Sequence, residues 1–335
     1  MPIRTGKGTI SLPEGVYINS SAGVAGSKEK EGPLGKEFDI AFNNDKLGMD
    51  TWEKAESELQ KAAVTAMLEK ARLTAADIDV IFAGDLLNQC MSSTYGLRDF
   101  QIPLMCQFGA CSTMAQTLAA AAVFVASGAA ERAAAVTSSH FCTAERQFRM
   151  PIDYGGQRSP TAQWTVTGAG AALISRMPSP VRIESLTIGR INDLKVKDAT
   201  NMGAAMAPAA ADTLLRFLAD TDTVPKSYDL ILTGDLGKVG SDLFRELMLR
   251  HGADVSQVHN DCGLMIFDLE GQDVHSGGSG CGCSASVFCS HIMRRIEKGE
   301  LKSVLFIATG ALMSPTASQQ GESIPSIAHL LHLSA

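Results

Sequence analysis

The two halves of this chain repeat the same pattern of strand, turn and helix, and this duplication constrains the fold more than any other feature. An apolar run ends in Gly84-Asp85-Leu86, and a second apolar run ends in Gly234-Asp235-Leu236. Each run follows an amphipathic helix, which we predict at Trp52 to Ala71 in the first half and at Ala209 to Ala219 in the second. Strands that alternate with helices pair in parallel and are covered by those helices, so the pattern predicts an α/β fold.

A second block follows in both halves in the same order. Gly109-Ala110-Cys111-Ser112-Thr113 opens an Ala-rich helix, and a strand is predicted after it at Ala133 to Thr137. In the second half, Gly280-Cys281-Gly282-Cys283-Ser284 opens a helix that precedes a strand predicted at Ser303 to Ala308. The shared order predicts two similar sheet units, residues 1–175 and 176–335, packed around a common layer. The polar segment 141–170 is predicted to be an excursion from the first half, over a pocket or at a subunit contact.

Composition excludes several classes of protein. Of 335 residues, 45% are hydrophobic and 19% charged, which fits a globular core and argues against long disorder. The net charge of −7 argues against a basic surface for duplex nucleic acid. We expect no signal peptide, since no apolar core follows the first residues, and we expect the stretch from Ala115 to Ala130 to be buried in protein rather than in a membrane.

The eight cysteines and one glycine-rich turn bear on cofactors. No cysteines are spaced as CxxC pairs, so we expect reduced thiols and no bound metal. The turn Gly277-Gly278-Ser279-Gly280 resembles a phosphate-binding loop, but it lacks the lysine and the strand context of the known nucleotide motifs. We therefore expect no cofactor.

Cys111 is the first candidate functional residue. It lies between a strand-like run, Ile102 to Phe108, and the Ala-rich helix. A thiol at such an elbow lies near unpaired backbone N–H groups and the positive end of the helix dipole, which favours the nucleophilic thiolate. The position fits a nucleophile, and it also fits a buried structural cysteine.

The duplication and the elbow cysteine together resemble the thiolase and β-ketoacyl synthase III superfamily. The resemblance covers nearly the whole chain and implies a thiolase-like fold, with two duplicated βαβαβ halves in a layered α-β-α-β-α arrangement, and a homodimer. Several stretches resemble more narrowly one sporulation family of that superfamily, among them Phe108 to Thr113, Thr143 to Arg149 and His259 to Ile266.

Members of that sporulation family belong to the membrane complex that moves dipicolinic acid into the developing spore. The narrower resemblance therefore implies a protein without a transmembrane segment, peripheral to the cytoplasmic side of the forespore or spore inner membrane. Its implied partners are dipicolinic acid and the other subunits of the dipicolinate channel complex.

The resemblance also implies roles for three residues. Cys111 takes the place of the superfamily's nucleophile, and His259 takes the place of the catalytic histidine from the second half. The second helper, an Asn or His in the enzymes, is replaced by Cys281. Because a thiol is a poor oxyanion donor, and losing one such donor costs on the order of 10²–10³ in rate, we expect a cavity that has lost condensation chemistry.

Dipicolinate is a flat ring with two carboxylates, so its site requires N–H or cationic donors at both ends. The helix that begins after Cys111 supplies N–H groups, and His259 supplies a further donor. Arg146 and Arg149 in the excursion are candidates for a carboxylate clamp, with Arg190 and Asp193 as weaker candidates. Each of these arginines also fits an ordinary structural or interface role.

Three functions remain open from the sequence. The first is a non-enzymatic protein that binds dipicolinate, free or as its calcium chelate. The second is an acyltransferase or 3-oxoacyl synthase that uses Cys111 and His259 on acyl-CoA or acyl-carrier-protein substrates. The third is an architectural subunit in which the pocket is vestigial.

Overall fold

The computed structural model describes residues 1–148 and 158–335. Its strands are β1 Ile3–Thr5, β2 Thr9–Ser11, β3 Tyr17–Ala25, β4 Ile40–Ala41, β5 Val80–Gly84, β6 Leu104–Cys106, β7 Arg132–Ser139, β8 Trp164–Thr165, β9 Gly168–Ser175, β10 Val181–Thr187, β11 Leu230–Thr233, β12 His259–Asp261, β13 Gly278–Ser279, β14 Ser303–Ala311 and β15 Ser326–Ser334. Its helices are α1 Ser27–Lys30, α2 Trp52–Ala71, α3 Met91–Leu97, α4 Thr113–Ser127, α5 Phe141–Phe148, α6 Met202–Thr221, α7 Gly237–Arg250, α8 Cys262–Met265, α9 Cys281–Val287, α10 Met293–Glu297 and α11 Pro315–Gln319. A π-helical turn, Phe288–Ile292, joins α9 to α10.

The strand order repeats between the halves. Across the large sheet the order is β12-β11-β14-β15-β10-β3-β9-β7-β5-β6. In the first half β5 pairs in parallel with β6 and β7, and β7 then pairs antiparallel with β9. In the second half β11 pairs in parallel with β12 and β14, and β14 then pairs antiparallel with β15. The duplication in the sequence is therefore a duplication of topology, and the two copies meet where β10 pairs with both β3 and β15.

Helices form three layers around these strands. In the middle layer, α4 packs on β5, β7 and β9 of its own half and also on β14 and β15 of the other. The α9 helix packs on β3, β7 and β9. On the outside, α2 covers the first half, while α6 and α7 cover the second.

The apolar stretch that contains α4 is a core helix. Ala110–Ser127 is long and apolar enough to span a membrane, and 72% of it is buried inside the protein. Its many alanines leave room for strands of both halves to approach the same helix, while Met114, Leu118 and Val125 fill the space between them. The expected burial of this stretch in protein is confirmed.

Most predicted elements lie where the sequence placed them, with two differences. The α2 helix has the predicted bounds, since Thr51 caps its first turn and Arg72 ends it in the left-handed region. The α6 helix begins at Met202 rather than Ala209. Asn201 caps its first turn, and burial of the residues around Pro208 offsets the cost of a proline inside the helix. The predicted excursion 141–170 contains α5 and β8, but its last residues belong to β9.

Candidate functional site

A pocket opens over Cys111 where the two halves meet. About 440 Å³ of space free of protein atoms lies within the pocket and at its mouth, including open solvent. Residues of α5 form one part of its wall. The end of β14 and the residues that follow it form another part. Its lining residues are Leu86, Ala110, Cys111, Ala144, Glu145, Phe148, Thr165, Met202, Ser279, Ala311 and Met313. The walls are therefore mainly apolar, as in small-molecule sites generally.

The elbow that carries Cys111 is held tightly by the second half. Ala110 has a φ of 51°, in the left-handed region, and the turn leads directly into α4. A Cβ atom added at Gly310 of β14 would lie 2.2 Å from the backbone oxygen of Gly109 and 3.0 Å from the backbone nitrogen of Ser112. Only glycine allows this approach of the two backbones, so Gly310 sets the distance between β14 and the elbow.

Cys111 is a buried thiol beside a carboxylate. It is 5% exposed, and its Sγ lies 4.0 Å from Ser279 Oγ. The Asp235 carboxyl group lies close enough to interact with this thiol. Burial, followed by the negative charge of Asp235, raises the pKa of Cys111 well above its ordinary value. The thiolate expected from the position at a helix start is therefore disfavoured, since burial and the carboxylate outweigh the helix dipole.

Asp235 is the site residue that the sequence reasoning missed. It follows β11 and gathers three elements: its Oδ1 accepts a hydrogen bond from Thr309 Oγ1 (2.8 Å), and its Oδ2 accepts from Gly280 N (2.9 Å) and Ser279 Oγ (3.2 Å). Burial raises the pKa of Asp235 to about 6, so the group is ionised at pH 7.5. The available signal was the repeated Gly-Asp-Leu, which marked the duplication but also placed a carboxylate at the end of a central strand.

His259 is not among the residues that line the pocket. Its Nδ1 accepts from Arg245 Nε (3.0 Å), its Nε2 lies 2.9 Å from Thr233 Oγ1, and its ring packs on Phe244. Burial, with the charge of Arg245, lowers the pKa of His259 to about 3. The resemblance placed this imidazole beside Cys111, but β12 is the outermost strand of its half, two strands away from β14 and the elbow. Asp235 from the next strand inward takes that place.

Cys281, by contrast, lies with Cys111. Both belong to one apolar cluster with Leu86, Ala110 and Ala144. The Sγ of Cys281 donates to the backbone oxygen of Ser138 at 2.9 Å, and burial raises its pKa well above the ordinary value. Its proton already has an acceptor at the end of β7, so this thiol does not offer the pocket a donor comparable to an amide.

The arginine candidates lie elsewhere or pair with acids. Arg146 is more than half exposed and pairs with Glu53 at 3.1 Å. Arg190 makes two bonds to Asp212, at 2.6 and 3.0 Å, and Asp193 bonds to Lys195 and Ser323. These contacts favour the structural reading for Arg146 and Arg190. Arg149 lies outside the described residues.

A further arginine, Arg158, does contact the pocket wall. Its Nη1 lies 3.2 Å from Glu145 Oε1, and its guanidinium also donates to the backbone oxygen of Gln163. It lies 5.6 Å from the Phe141 ring and 5.2 Å from the Trp164 ring, which stack on each other at 3.8 Å. Within residues 1–148 and 158–335, no arginine or lysine lines the pocket itself, and no cluster of His, Cys, Asp and Glu side chains could hold a metal ion.

Solved structures of other proteins share this architecture. The chain superposes on 3-oxoacyl-[acyl-carrier-protein] synthase III from Aquifex aeolicus VF5 with a TM-score of 0.61 and 13% identity, over 96% of this chain and 100% of that one. It superposes on cerulenin-bound OleA from Xanthomonas campestris with a TM-score of 0.60 and 12% identity, over 96% of this chain and 97% of that one. At this identity the likeness shows the fold alone, and it confirms the predicted thiolase-like fold.

Sequence comparison identifies the family. The family model for stage V sporulation protein AD matches residues 6–334. The stage V sporulation protein AD of Bacillus subtilis (strain 168) is 48% identical over 325 residues, which is 97% of this chain and 96% of that protein. The chain therefore belongs to the stage V sporulation protein AD family, and its role lies in sporulation.

Proposed function

We propose that this protein binds dipicolinic acid, free or as its calcium chelate, in the Cys111 pocket and does not catalyse condensation. The observation that carries this proposal is the Asp235 carboxylate beside Cys111, where a condensing enzyme of this fold requires a histidine. The second helper is a thiol already bonded to Ser138. The pocket remains open although both partners of the catalytic cysteine are replaced. An open pocket without these partners favours a site that binds a ligand over one that catalyses a reaction.

The chemistry of Cys111 argues against the acyltransferase alternative. Acyl transfer requires a thiolate or a base that can take the thiol proton. A carboxylate with a pKa of about 6 is a weak base toward a thiol whose pKa lies well above 9. The charge of Asp235 would also repel the oxyanion that forms when a thioester is attacked. Both effects oppose the reaction.

The residues that line the pocket suit a flat ring whose carboxylate charge is already neutralised by calcium or by protons. Leu86, Phe148, Met202 and Met313 supply apolar walls, and Ser279 and Thr165 supply hydroxyl groups. A bare dianion would meet the charge of Asp235 beneath it, at a cost in a site of low dielectric. A calcium ion carried by the ligand offsets that charge and accepts oxygen ligands. The geometry therefore favours the calcium chelate or a protonated acid over the free dianion.

Calorimetry with a filled pocket tests this function. Met202 lines the pocket, whereas Met177 is exposed elsewhere, so Met202→Trp fills the site and Met177→Trp is the matched control. We expect dipicolinate to bind the natural chain more tightly with calcium than without it, and Met202→Trp to weaken binding by at least about tenfold, or 1.4 kcal/mol. Benzoate is the ligand control.

The control variant should bind as the natural chain does. Equal binding by Met202→Trp and Met177→Trp would place the ligand elsewhere. The absence of selective dipicolinate binding up to millimolar concentration would contradict the function. An acetyl adduct on Cys111 after incubation with acetyl-CoA, seen by intact mass spectrometry, would support the acyltransferase instead.

In this function the chain is peripheral to the forespore inner membrane, works with the other subunits of the dipicolinate channel complex, and acts as a homodimer.

The β6 edge is where a second copy fits. β6 pairs only with β5 in the described residues, and Met105, Phe108 and Tyr95 expose apolar surface beside it. The opposite edge, β12, is buried or half-buried along its length. An unpaired apolar edge favours pairing with another chain.

A charge at that edge is expected to separate the copies. Met105→Glu should shift the protein from dimer to monomer in light scattering across a micromolar dilution series, because a buried unpaired carboxylate is costly. Met177→Glu, at an exposed site away from β6, should remain dimeric. A natural chain that is monomeric at every concentration would contradict the dimer, and a dimeric Met105→Glu would contradict its placement.

A further inference from the structure

A buried polar cluster lies behind the pocket and has no part in the function described so far. Its centre is Glu56 on α2, whose side chain is inaccessible to solvent. Glu56 Oε2 accepts a hydrogen bond from Thr143 Oγ1 at 2.5 Å, and Oε1 accepts from Ser138 Oγ at 3.2 Å. One carboxyl group therefore joins α2 to the end of β7 and to the first turn of α5.

The α5 helix is the element that this carboxyl group holds. Ala144, which follows Thr143 directly, and Glu145 and Phe148 beyond it line the pocket. The other described tie between α2 and α5 is the more exposed pair of Glu53 with Arg146. Surface pairs of this kind contribute little to stability, so the buried bond to Glu56 is the stronger constraint on the wall.

Among the described residues, a second carboxyl group interacts with Glu56 and no basic side chain does. Asp85 at the end of β5 accepts from Leu87 N, Ser93 N and Ser93 Oγ at 2.6–2.9 Å, so its charge is well satisfied. Burial, followed by the charge of Asp85, raises the pKa of Glu56 to about 8. Two carboxyl groups in one buried cluster do not readily ionise together, so Glu56 keeps its proton at neutral pH.

The remaining members of the cluster can accept that proton in a hydrogen bond. Gln60 lies one turn after Glu56 on α2, and its Nε2 donates to Gly84 O, Ser93 Oγ and Ser138 Oγ. Among the described residues, Gln60 Oε1 and Ser92 Oγ are buried without a hydrogen-bond partner. Among the described residues, the Cys281 thiol on α9 also faces Glu56 and is held protonated, and the Cys90 and Cys106 thiols face Asp85.

We infer that Glu56, in its protonated form, is a positioning residue for the Cys111 pocket: it fastens α5 to α2 and so keeps the pocket wall in place. Ionising Glu56 adds a second negative charge next to Asp85 inside the protein, where no basic side chain of the described residues offsets it. The cluster relieves that repulsion by admitting solvent, which separates α5 from α2. The wall is therefore held most firmly in acid and loosens as the pH rises toward about 8, where Glu56 is half ionised.

The reactivity of Cys142, the second residue of α5, measures the separation of α5 from α2 in the absence of a ligand. It is half-buried and directly precedes Thr143. Its alkylation by iodoacetamide, followed by peptide mass spectrometry, is compared between the natural chain and Glu56→Gln at each pH, so that ionisation of the thiol itself cancels. We expect the rate of the natural chain, divided by that of Glu56→Gln, to be about tenfold higher at pH 9.5 than at pH 6.5, because Glu56 is mostly protonated at the lower pH and mostly ionised at the higher.

Two further variants keep the test decisive. Glu53→Gln is the matched control, because Glu53 is a glutamate of the same helix that contacts α5 at the surface. This substitution should change the alkylation rate by the same factor at every pH. Thr143→Val removes the donor to Glu56 and should give the open rate even at pH 6.5. A Glu56→Gln profile that follows the natural chain from pH 6.5 to 9.5, or a Thr143→Val rate equal to the natural rate at pH 6.5, would overturn the inference.

The link to ligand capture rests on the proposed function and is measured separately. Dipicolinate affinity should fall above pH 8 for the natural chain and stay constant for Glu56→Gln. Absence of dipicolinate binding at every pH contradicts the proposed function while the alkylation result still decides the role of Glu56. An unchanged affinity across pH 8 in a natural chain that binds dipicolinate would contradict the link to capture.

Discussion

Replacing Asp235 with Asn is expected to make Cys111 react with thiol reagents at least about tenfold faster at pH 7.5, because a nearby like charge moves a pKa by one unit or more. Asp235 is ionised at that pH and is the main charge that raises the pKa of the thiol. The asparagine keeps an oxygen that can accept from Thr309 Oγ1 and removes the charge. The rate is measured on the Cys111 peptide, with Cys142 in the same sample as an internal reference.

The sign of the pH dependence follows from the pKa of Asp235. Below about pH 5 the carboxyl group of the natural chain is itself protonated, so the natural chain and Asp235→Asn should react at similar rates there. A disulfide reagent that works in acid, such as 2,2′-dipyridyl disulfide, makes this comparison possible. If the ratio of the two rates is the same at pH 5 and pH 7.5, the charge of Asp235 does not control the thiol.

Gly310→Ala is expected to lower the free energy of unfolding by about 3 kcal/mol, at the upper end of the cost of overpacking. The new Cβ would lie 2.2 Å from the backbone oxygen of Gly109 and cannot be relieved by rotating a side chain. Either β14 or the elbow must move, so dipicolinate binding should weaken as well. Urea unfolding followed by circular dichroism gives the stability, and calorimetry gives the binding.

Gly234→Ala is the matched control for that substitution. Gly234 follows the neighbouring strand β11, and its added Cβ would have its nearest contact at 3.1 Å, to the Cα of Ala308. Small adjustments relieve a contact of that length, so the loss should be well below that of Gly310→Ala. Equal stability of Gly310→Ala and the natural chain would show that the elbow and β14 are not held at the distance described.

Local features of the chain allowed much of the fold to be predicted. The bounds of α2 were recoverable because its caps, Thr51 and Arg72, are local signals. The start of α6 was not, since burial against β14 and β15 outweighs the helix-breaking tendency of Pro208. Burial by distant strands leaves no mark in a short window of sequence.

The candidate site was recovered only in part. Cys111 and Cys281 were predicted together, and the structure places them in one cluster. His259 was assigned to the pocket because the resemblance gives it the place of the superfamily's catalytic histidine. Strand order decides which strand end reaches the elbow, and that order is a long-range property. Asp235 had a visible signal in the repeated Gly-Asp-Leu, and Glu56 had none, since an acid on an amphipathic helix ordinarily faces solvent.

The sequence by itself determined that the chain is duplicated, that each half alternates strands and helices, and that a cysteine stands at the start of the central helix. These are properties of neighbouring residues, and the chain order records them directly. Only the tertiary structure decided the chemical state of that cysteine, because the charge of Asp235 and the exclusion of water come from residues far away in the sequence. A thiol next to a buried carboxylate holds its proton, whatever its position at a helix start favours.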